Sequence, residues 1–425
     1  MMTTILFISF VVLLGLNVPI AFSLFISSAI ALMYKGYPLM VMVQRLVTAA
    51  DSFILIAIPF FMLAGNLMSH GGISRSLMEF SNALVGFMRG GLAHVSVIAS
   101  MIMAGITGSS VADASAIGTM MIPSMIKEGY RKDFATGLIA SASTTGVIIP
   151  PSIPFVIYGV ITGASIGKLF MGGVVPGLLF GIVAMAISYY ICKRDDIGRP
   201  KKFSLKVLVQ KTREGFWALM TPVIILGGIV FGVVTPTEAA ALGVLYALFV
   251  GFFILRELKV SMLPGIIMDS MITTTVVMFM VVGAFLYSWI ITVDQVPQMV
   301  ARFVMGISTD PTVVLLMFVV VFIIAGMFID LGANIVLLIP VLFPVSKELG
   351  IDPVHLGVIT VVTLAIGLVT PPVGACLFVS CDISKTPIME AFRASLPYLI
   401  GFLGIVVLII FFPQIALFLP NLLIK

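Results

Sequence analysis

The sequence predicts an all-α integral membrane protein in which two inverted repeats each carry a re-entrant helical hairpin and a broken helix. Three observations predict it. Of 425 residues, 60% are apolar and 10% charged, with a mean hydropathy of +1.24, which a water-soluble core cannot account for. Glycine and proline interrupt the apolar runs at matching places in the two halves. The basic residues also divide unevenly between the two ends of the spans those runs imply.

The first charge is Lys35, and the preceding apolar run has neither a basic start nor a small-residue cleavage site, so residues 3–34 read as one retained span. Further spans are expected near 52–70, 133–163, 168–192, 215–234, 236–255, 263–290, 352–380 and 387–419. Residues 92–127 and 311–346 carry polar centres, "AGITGSSVADASAIGT" and "AGMFIDLGANIVLL". Each half is only about 14 to 18 residues, roughly 21 to 27 Å of helix against a hydrocarbon core of roughly 30 Å. They are read as hairpins that enter and leave by the same face. "ISRSLMEFSNALVGFMRGG" (Ile73 to Gly91) and "DQVPQMVARFVMGI" (Asp294 to Ile307) have the pattern of amphipathic helices lying along the interface and linking each hairpin to a fixed frame.

With both stretches as hairpins, 17 of the 23 basic residues fall on one side: Arg75, Arg89, Lys127, Arg131, Lys132, the eight from Lys193 to Arg213, Arg256, Lys259, Lys385 and Arg393. Lys35, Arg45, Lys168, Arg302, Lys347 and Lys425 fall on the other. Positive charge accumulates in cytoplasmic loops, which places Met1 inside, Lys425 outside, and the two hairpins opening to opposite faces. The net charge of +5 thus has a topological reading, with no nucleic-acid partner implied. The basic segment 193–214 is the one long polar connection, an orientation signal beside anionic lipid. Three cysteines without a CxxC pair and three scattered histidines indicate neither a disulfide framework nor a zinc site.

Sliding residues 104–176 onto 325–397, a constant offset of 221, matches Gly105 to Gly326, Pro123 to Pro344, Gly129 to Gly350 and Gly146 to Gly367. It also matches Pro150-Pro151 to Pro371-Pro372 and Pro176 to Pro397, several times what the Gly and Pro content yields by chance. These residues dictate backbone shape, so "GVIIPPSIP" and "GLVTPPVGA" are equivalent breaks. Inverted repeats with paired broken helices are the signature of a secondary transporter whose site lies at the midplane.

Lipid cannot satisfy the carbonyls and N–H groups that a break exposes, so they survive where they line protein or a wet cavity. Carbonyl ends suit a cation and N–H ends an anion. The first tip offers Ser109, Ser110 and Asp113, and its break Thr144, Thr145, Gly146, Val147 and Ser152. The second set is Asp330, Gly332 and Asn334 with Gly367, Val369, Thr370 and Gly374. These are hard oxygen donors of the kind an alkali cation takes. Asp330 and Ser110 equally suit helix N-caps, and Gly146 and Gly367 equally suit close helix packing. Glu238 in "TPTEAA" fits the first turn of a span. No Lys or Arg falls at a span centre, so an anionic solute would be balanced by bound cations and helix N-termini, with proton coupling through Asp113 or Asp330 a second route.

At these residues the chain resembles the large membrane subunit of the tripartite ATP-independent periplasmic (TRAP) transporters, the DctM or SiaM-like family. The resemblance runs from "GLNVPIAFSL" and "IPFFMLAGNLM" through "GSSVADASAIGTMMIPSM", "IIPPSIPFVIYG" and "GVVTPTEAAALGVLYAL" to "TPPVGACLF". It implies a multi-pass protein of the bacterial inner membrane working as an elevator, in which a transport domain slides against a scaffold. On that plan residues 1–70 and 215–292 are scaffold spans and 71–91 and 293–310 the arm helices. Residues 92–192 form the first transport repeat (hairpin 92–127, broken helix 133–163), 193–214 the cytoplasmic loop, and 311–425 the second repeat (hairpin 311–346, broken helix 352–380) with the last span.

The resemblance further implies sodium as the co-transported cation, two or more ions at a time, and no organic cofactor. The implied partners are a four-helix small membrane subunit, a periplasmic solute-binding protein and a carboxylate solute such as sialic acid or a C4-dicarboxylate. The first sodium site would fall at Ser109, Ser110, Asp113, Gly146 and Val147, and the second at Gly326, Asp330, Gly332, Gly367 and Thr370. Thr144, Thr145, Ser152 and Asn334 are then left as candidates for the solute. A stand-alone sodium/dicarboxylate carrier of the same repeat plan is the alternative. Two opposed hairpins disfavour a channel. An intramembrane aspartyl protease is disfavoured because Asp113 aligns with Asn334 and no GxGD or Ser/Lys arrangement accompanies it.

Overall fold

Proline and glycine set where the helices of this chain stop. The computed structural model describes residues 2–198 and 202–424, and every regular element among them is helical. Met1, Arg199, Lys201 and Lys425, which the charge distribution assigned to sides, lie outside the described residues. The first half comprises α1 (Met2–Gly15), α2 (Ile20–Lys35), α3 (Leu39–Ala50), α4 (Ala57–His70), α5 (Ile73–Val85), α6 (Gly91–Thr107), α7 (Ser110–Lys127), α8 (Lys132–Ser143), α9 (Ile153–Thr162) and α10 (Ile166–Arg194). The second comprises α11 (Leu205–Glu214), α12 (Phe216–Val230), α13 (Pro236–Phe249), α14 (Leu263–Val293), α15 (Val296–Ile307), α16 (Pro311–Phe328), α17 (Leu331–Glu348), α18 (Pro353–Gly367), α19 (Ala375–Ser384), α20 (Ile388–Phe411) and α21 (Gln414–Leu423). Seven helical segments among the described residues are long and apolar enough to cross a bilayer unaided.

The single span expected over 3–34 is instead a helical hairpin. Asn17 adopts φ 61°, its N–H bonds the Leu14 carbonyl, the Val18 N–H bonds the Leu13 carbonyl, and Pro19 starts α2. This is an αL helix stop followed by a proline, and apolar continuity concealed it. Both arms pack on α14. The Thr3 N–H and hydroxyl bond Asp294, Phe7 and Phe10 meet Tyr287, and Phe22 and Phe25 meet Phe279. Tyr37 then returns to Trp289. Residue 3 and residue 37 therefore lie at the same end of α14. The span expected over 387–419 is likewise two helices, α20 ending at Phe411 and α21 following Pro413. Two amphipathic helices in segments read as connections also appear, α3 and α11, the latter meeting α12 at a 63° bend. The expected interfacial helices are present as α5 and α15. Thr235 and Glu238 form a reciprocal capping box at the start of α13.

Arg89, Arg131, Lys132, Lys211 and Lys385, all from the larger basic set, assemble at one end of the molecule. Arg89 pairs with Asp196, Arg131 with Asp133 and Asp195, Lys211 with Glu79, and the Lys132 ammonium donates to the Lys385 carbonyl. At the opposite end the Tyr158 hydroxyl donates to the Pro353 carbonyl at 2.8 Å. These contacts establish the inversion. The path α8 to α9 starts at Lys132 and finishes just beyond Tyr158, while α18 to α19 starts at Pro353 and finishes at Lys385. One broken helix therefore runs antiparallel to the other.

Each hairpin lies beside the broken helix of its own repeat, tip against break. The Ser110 hydroxyl donates to the Thr144 carbonyl, and Gly326 lies against Gly367. Both Pro-Pro bonds, 150–151 and 371–372, are cis.

The α1–α2 hairpin makes a topological prediction. Cysteines placed at Thr3 and at Gly36 are expected to react with an impermeant thiol reagent from the same side of sealed vesicles. Labelling from opposite sides would reinstate a single span.

Candidate functional site

The first hairpin turns at Gly108, where φ is 63° and an added Cβ would sit 2.8 Å from the Pro151 carbonyl oxygen, so only glycine fits. Ser109 then caps α7, its hydroxyl accepting the Ala112 N–H at 3.4 Å. Thr107 donates its hydroxyl to Asp113 Oδ1 at 2.7 Å and accepts the Ser109 N–H at 3.3 Å. Asp113 is fully buried, and its Oδ2 has no protein partner. That oxygen faces Gly146 at the break: a Cβ there would lie 2.5 Å from Oδ2 and 2.9 Å from the Ser110 backbone.

The second tip follows the same backbone plan with different side chains. Asp330 caps α17, Oδ2 accepting the Gly332 N–H at 3.0 Å. Asn334 donates Nδ2 to the Ile329 carbonyl at 2.7 Å, while its buried Oδ1 is unpartnered. A Cβ on Gly367 would sit 2.6 Å from the Gly326 carbonyl oxygen. The repeat offset pairs Ser109 with Asp330 and Asp113 with Asn334, so each hairpin tip holds one carboxylate, at the cap in one and a turn later in the other. In both repeats the later residue leaves one buried oxygen unpaired. Of the thirteen buried side-chain polar atoms without a hydrogen-bond partner among the described residues, these two are the pair that the repeat offset relates.

Between the tips lies a cavity of about 110 Å³. Ser109, Ser110, Val147, Asp330 and Gly332 of the expected site line it. Asp113 and Gly146 stand behind the first tip, and Gly326 and Gly367 close the second. Thr144, Thr145 and Ser152, expected to meet solute, do not line the cavity. Their hydroxyls donate to the Ser141, Ala142 and Val147 carbonyls, and Ser152 also caps α9. Asn334 is likewise behind the wall, and the Thr370 hydroxyl donates to the Ile366 carbonyl at 2.9 Å. Of the two N-caps expected, Asp330 is one, and Ser109 rather than Ser110 is the other.

Sequence reading missed Thr107, although it lies in the same "ITGSSVAD" stretch, because its role depends on the chain doubling back at Gly108. It also missed Met62 on α4 and Val277, Met280 and Val281 on α14, which wall the cavity and carry no polar signal.

Paired tips and opposed breaks around a cavity define an inverted-repeat membrane transporter. Among solved structures, the YdaH transporter of Alcanivorax borkumensis shares this fold, with a TM-score of 0.64 over 89% of this chain and 90% of that one at 15% identity. The family model for the DctM component of the tripartite ATP-independent periplasmic transporters matches residues 7–415. The C4-dicarboxylate TRAP transporter large permease protein DctM of Pseudomonas aeruginosa is 41% identical, covering 89% of this chain and 88% of its own. The sialic acid large permease SiaM of Vibrio cholerae is 40% identical over 96% of both chains. The 2,3-diketo-L-gulonate large permease YiaN of Escherichia coli is 39% identical over 95% of both. The chain belongs to the DctM family of TRAP transporter large permeases, multi-pass inner-membrane proteins and not enzymes.

Gly367→Ala forces a Cβ into the Gly326 backbone and is expected to destabilise by about 1–3 kcal/mol, as overpacking does. Gly404→Ala, on α20 with open space around it, is the control and is expected to hold or raise the melting temperature in detergent. Equal melting of the two variants would refute the close approach.

Proposed function

We propose that the chain is the membrane-embedded carrier of a sodium-coupled carboxylate uptake system, with both hairpins and both broken helices moving together as an elevator against α4 and α14. The observation that carries this reading is the pair of orphaned oxygens, Asp113 Oδ2 and Asn334 Oδ1, at equivalent positions behind the two tips. Asp113 stands beside the Thr107 hydroxyl and Asn334 beside the Ile329 carbonyl, oxygen donors of the kind that suit an alkali cation. A sodium ion behind each tip would offset the charge of an anionic solute held between them. Sodium is cargo here, co-transported with the solute.

Family membership supports a small membrane subunit and a periplasmic binding protein as partners. The curated relatives are named for C4-dicarboxylates, sialic acid and 2,3-diketo-L-gulonate, which supports a carboxylate as solute. The basic face is assigned to the cytoplasm. Because α1 and α2 form a hairpin, Thr3 then lies with Lys35 on the exterior face, and the N-terminal segment is exterior where the single-span reading made it cytoplasmic.

Asp330→Ala and Ser109→Ala are each expected to abolish sodium-driven uptake in proteoliposomes holding the chain with its small subunit and binding protein, while the variants still purify folded. Near-normal uptake by either removes that residue from the site. Full activity with potassium in place of sodium would overturn the coupling.

A further inference from the structure

The cleft between α9 and α14 does not end at the hairpin tips. Ile157 and Val281 line the inner cavity, and Val160 and Phe285 line a second cavity of about 380 Å³. Steps of three and four residues are one helical turn, about 5 Å of rise, so the two cavities succeed one another along the same pair of helices. The direction is toward the face holding Lys35 and Asp294. Small-molecule pockets usually measure about 300–1,000 Å³, a range the outer cavity reaches and the inner one does not.

The outer cavity is polar as well, and it alone of the two carries a basic side chain among the described residues. It holds Arg45, Thr48, Ser52, Ser288 and Trp289. The Arg45 guanidinium stands 4.9 Å over the Trp289 ring, and it has no carboxylate partner among the described residues. The indole face holds the guanidinium by a cation–π contact, and an arginine without a carboxylate partner can bind a planar oxyanion through two parallel hydrogen bonds. Among the described residues no other arginine lines either cavity.

We propose that this cleft is an outer vestibule of the transport path, in which Arg45 captures the carboxylate of the solute before it passes to the tips. The inference rests on the transport reading above. A phospholipid phosphate is the other source of the same oxyanion chemistry. Solute is favoured because α9, half of a broken helix, walls the cavity and three hydroxyls share it with the guanidinium.

The test compares two impermeant thiol reagents, anionic sulfonatoethyl and cationic trimethylammonioethyl methanethiosulfonate, reacting with Ser288→Cys in sealed phosphatidylcholine vesicles. After correction for intrinsic reactivity, the anionic reagent is expected to be favoured. The ratio should fall at least about threefold on adding Arg45→Gln and hold with Arg45→Lys. An unchanged ratio in Arg45→Gln overturns the proposal. A ratio that collapses when phosphatidylglycerol is added, with no slowing of labelling by succinate, assigns Arg45 to lipid and also overturns it.

In uptake driven through the cognate binding protein, Arg45→Gln is expected to raise KM about tenfold with the maximal rate and sodium dependence kept. Sodium-dependent uptake with an unaltered KM sinks the vestibule alone. Wild-type uptake indifferent to sodium sinks the coupling alone, and the charge-selective labelling would still stand.

Discussion

A backbone group freed from its helix inside a bilayer has no solvent to turn to, and the rest of this fold is arranged around that constraint. Two helices are broken, and the chain satisfies each break from within protein. The Ile148 and Ile149 N–H groups return to the Thr145 carbonyl, and the Ser152 hydroxyl covers the Val147 carbonyl. In the second repeat the Cys376 and Leu377 N–H groups converge on the Leu368 carbonyl, and the Val373 N–H reaches across to Met327 on the facing hairpin. The hairpin tips are thus the partners that make the breaks affordable in a membrane. At equivalent places behind the two tips, Asp113 and Asn334 each keep one side-chain oxygen without a partner among the described residues.

The repeats share a backbone but not a chemistry. Gly146 and Gly367 occupy equivalent positions, yet the first faces a carboxylate oxygen and the second a peptide carbonyl. Thr107 fixes one oxygen of Asp113, whereas its equivalent, Phe328, cannot hydrogen-bond. The single carboxylate of each tip has moved between the cap and the next turn. A pseudo-symmetric frame therefore carries unlike side chains at its two tips.

Much of this was legible because glycine and proline act locally. Gly146, Gly367 and the two Pro-Pro pairs announce the breaks by removing donors and Cβ atoms, and their offset of 221 announces the duplication. The gathering of Arg89, Arg131, Lys132, Lys211 and Lys385 at one end followed from counting Lys and Arg. The hairpin of α1 and α2 did not, because one Asn-Val-Pro turn among apolar residues is a weak signal beside the hydrophobicity that surrounds it. The hydroxyls of Thr144, Thr145 and Ser152 were over-read for a similar reason. A hydroxyl at a break serves the nearest carbonyl before any ligand.

Sequence alone determined that this is a membrane protein of two inverted halves with interrupted helices, since composition, spacing and backbone-breaking residues are properties of the chain itself. Tertiary structure decided which oxygens remain unpaired and which apolar side chains of α4 and α14 close the cavity. It also decided that Arg45 stands over Trp289 beside α9. Those facts depend on residues hundreds of positions apart meeting at contact distance, and no local preference encodes such a meeting.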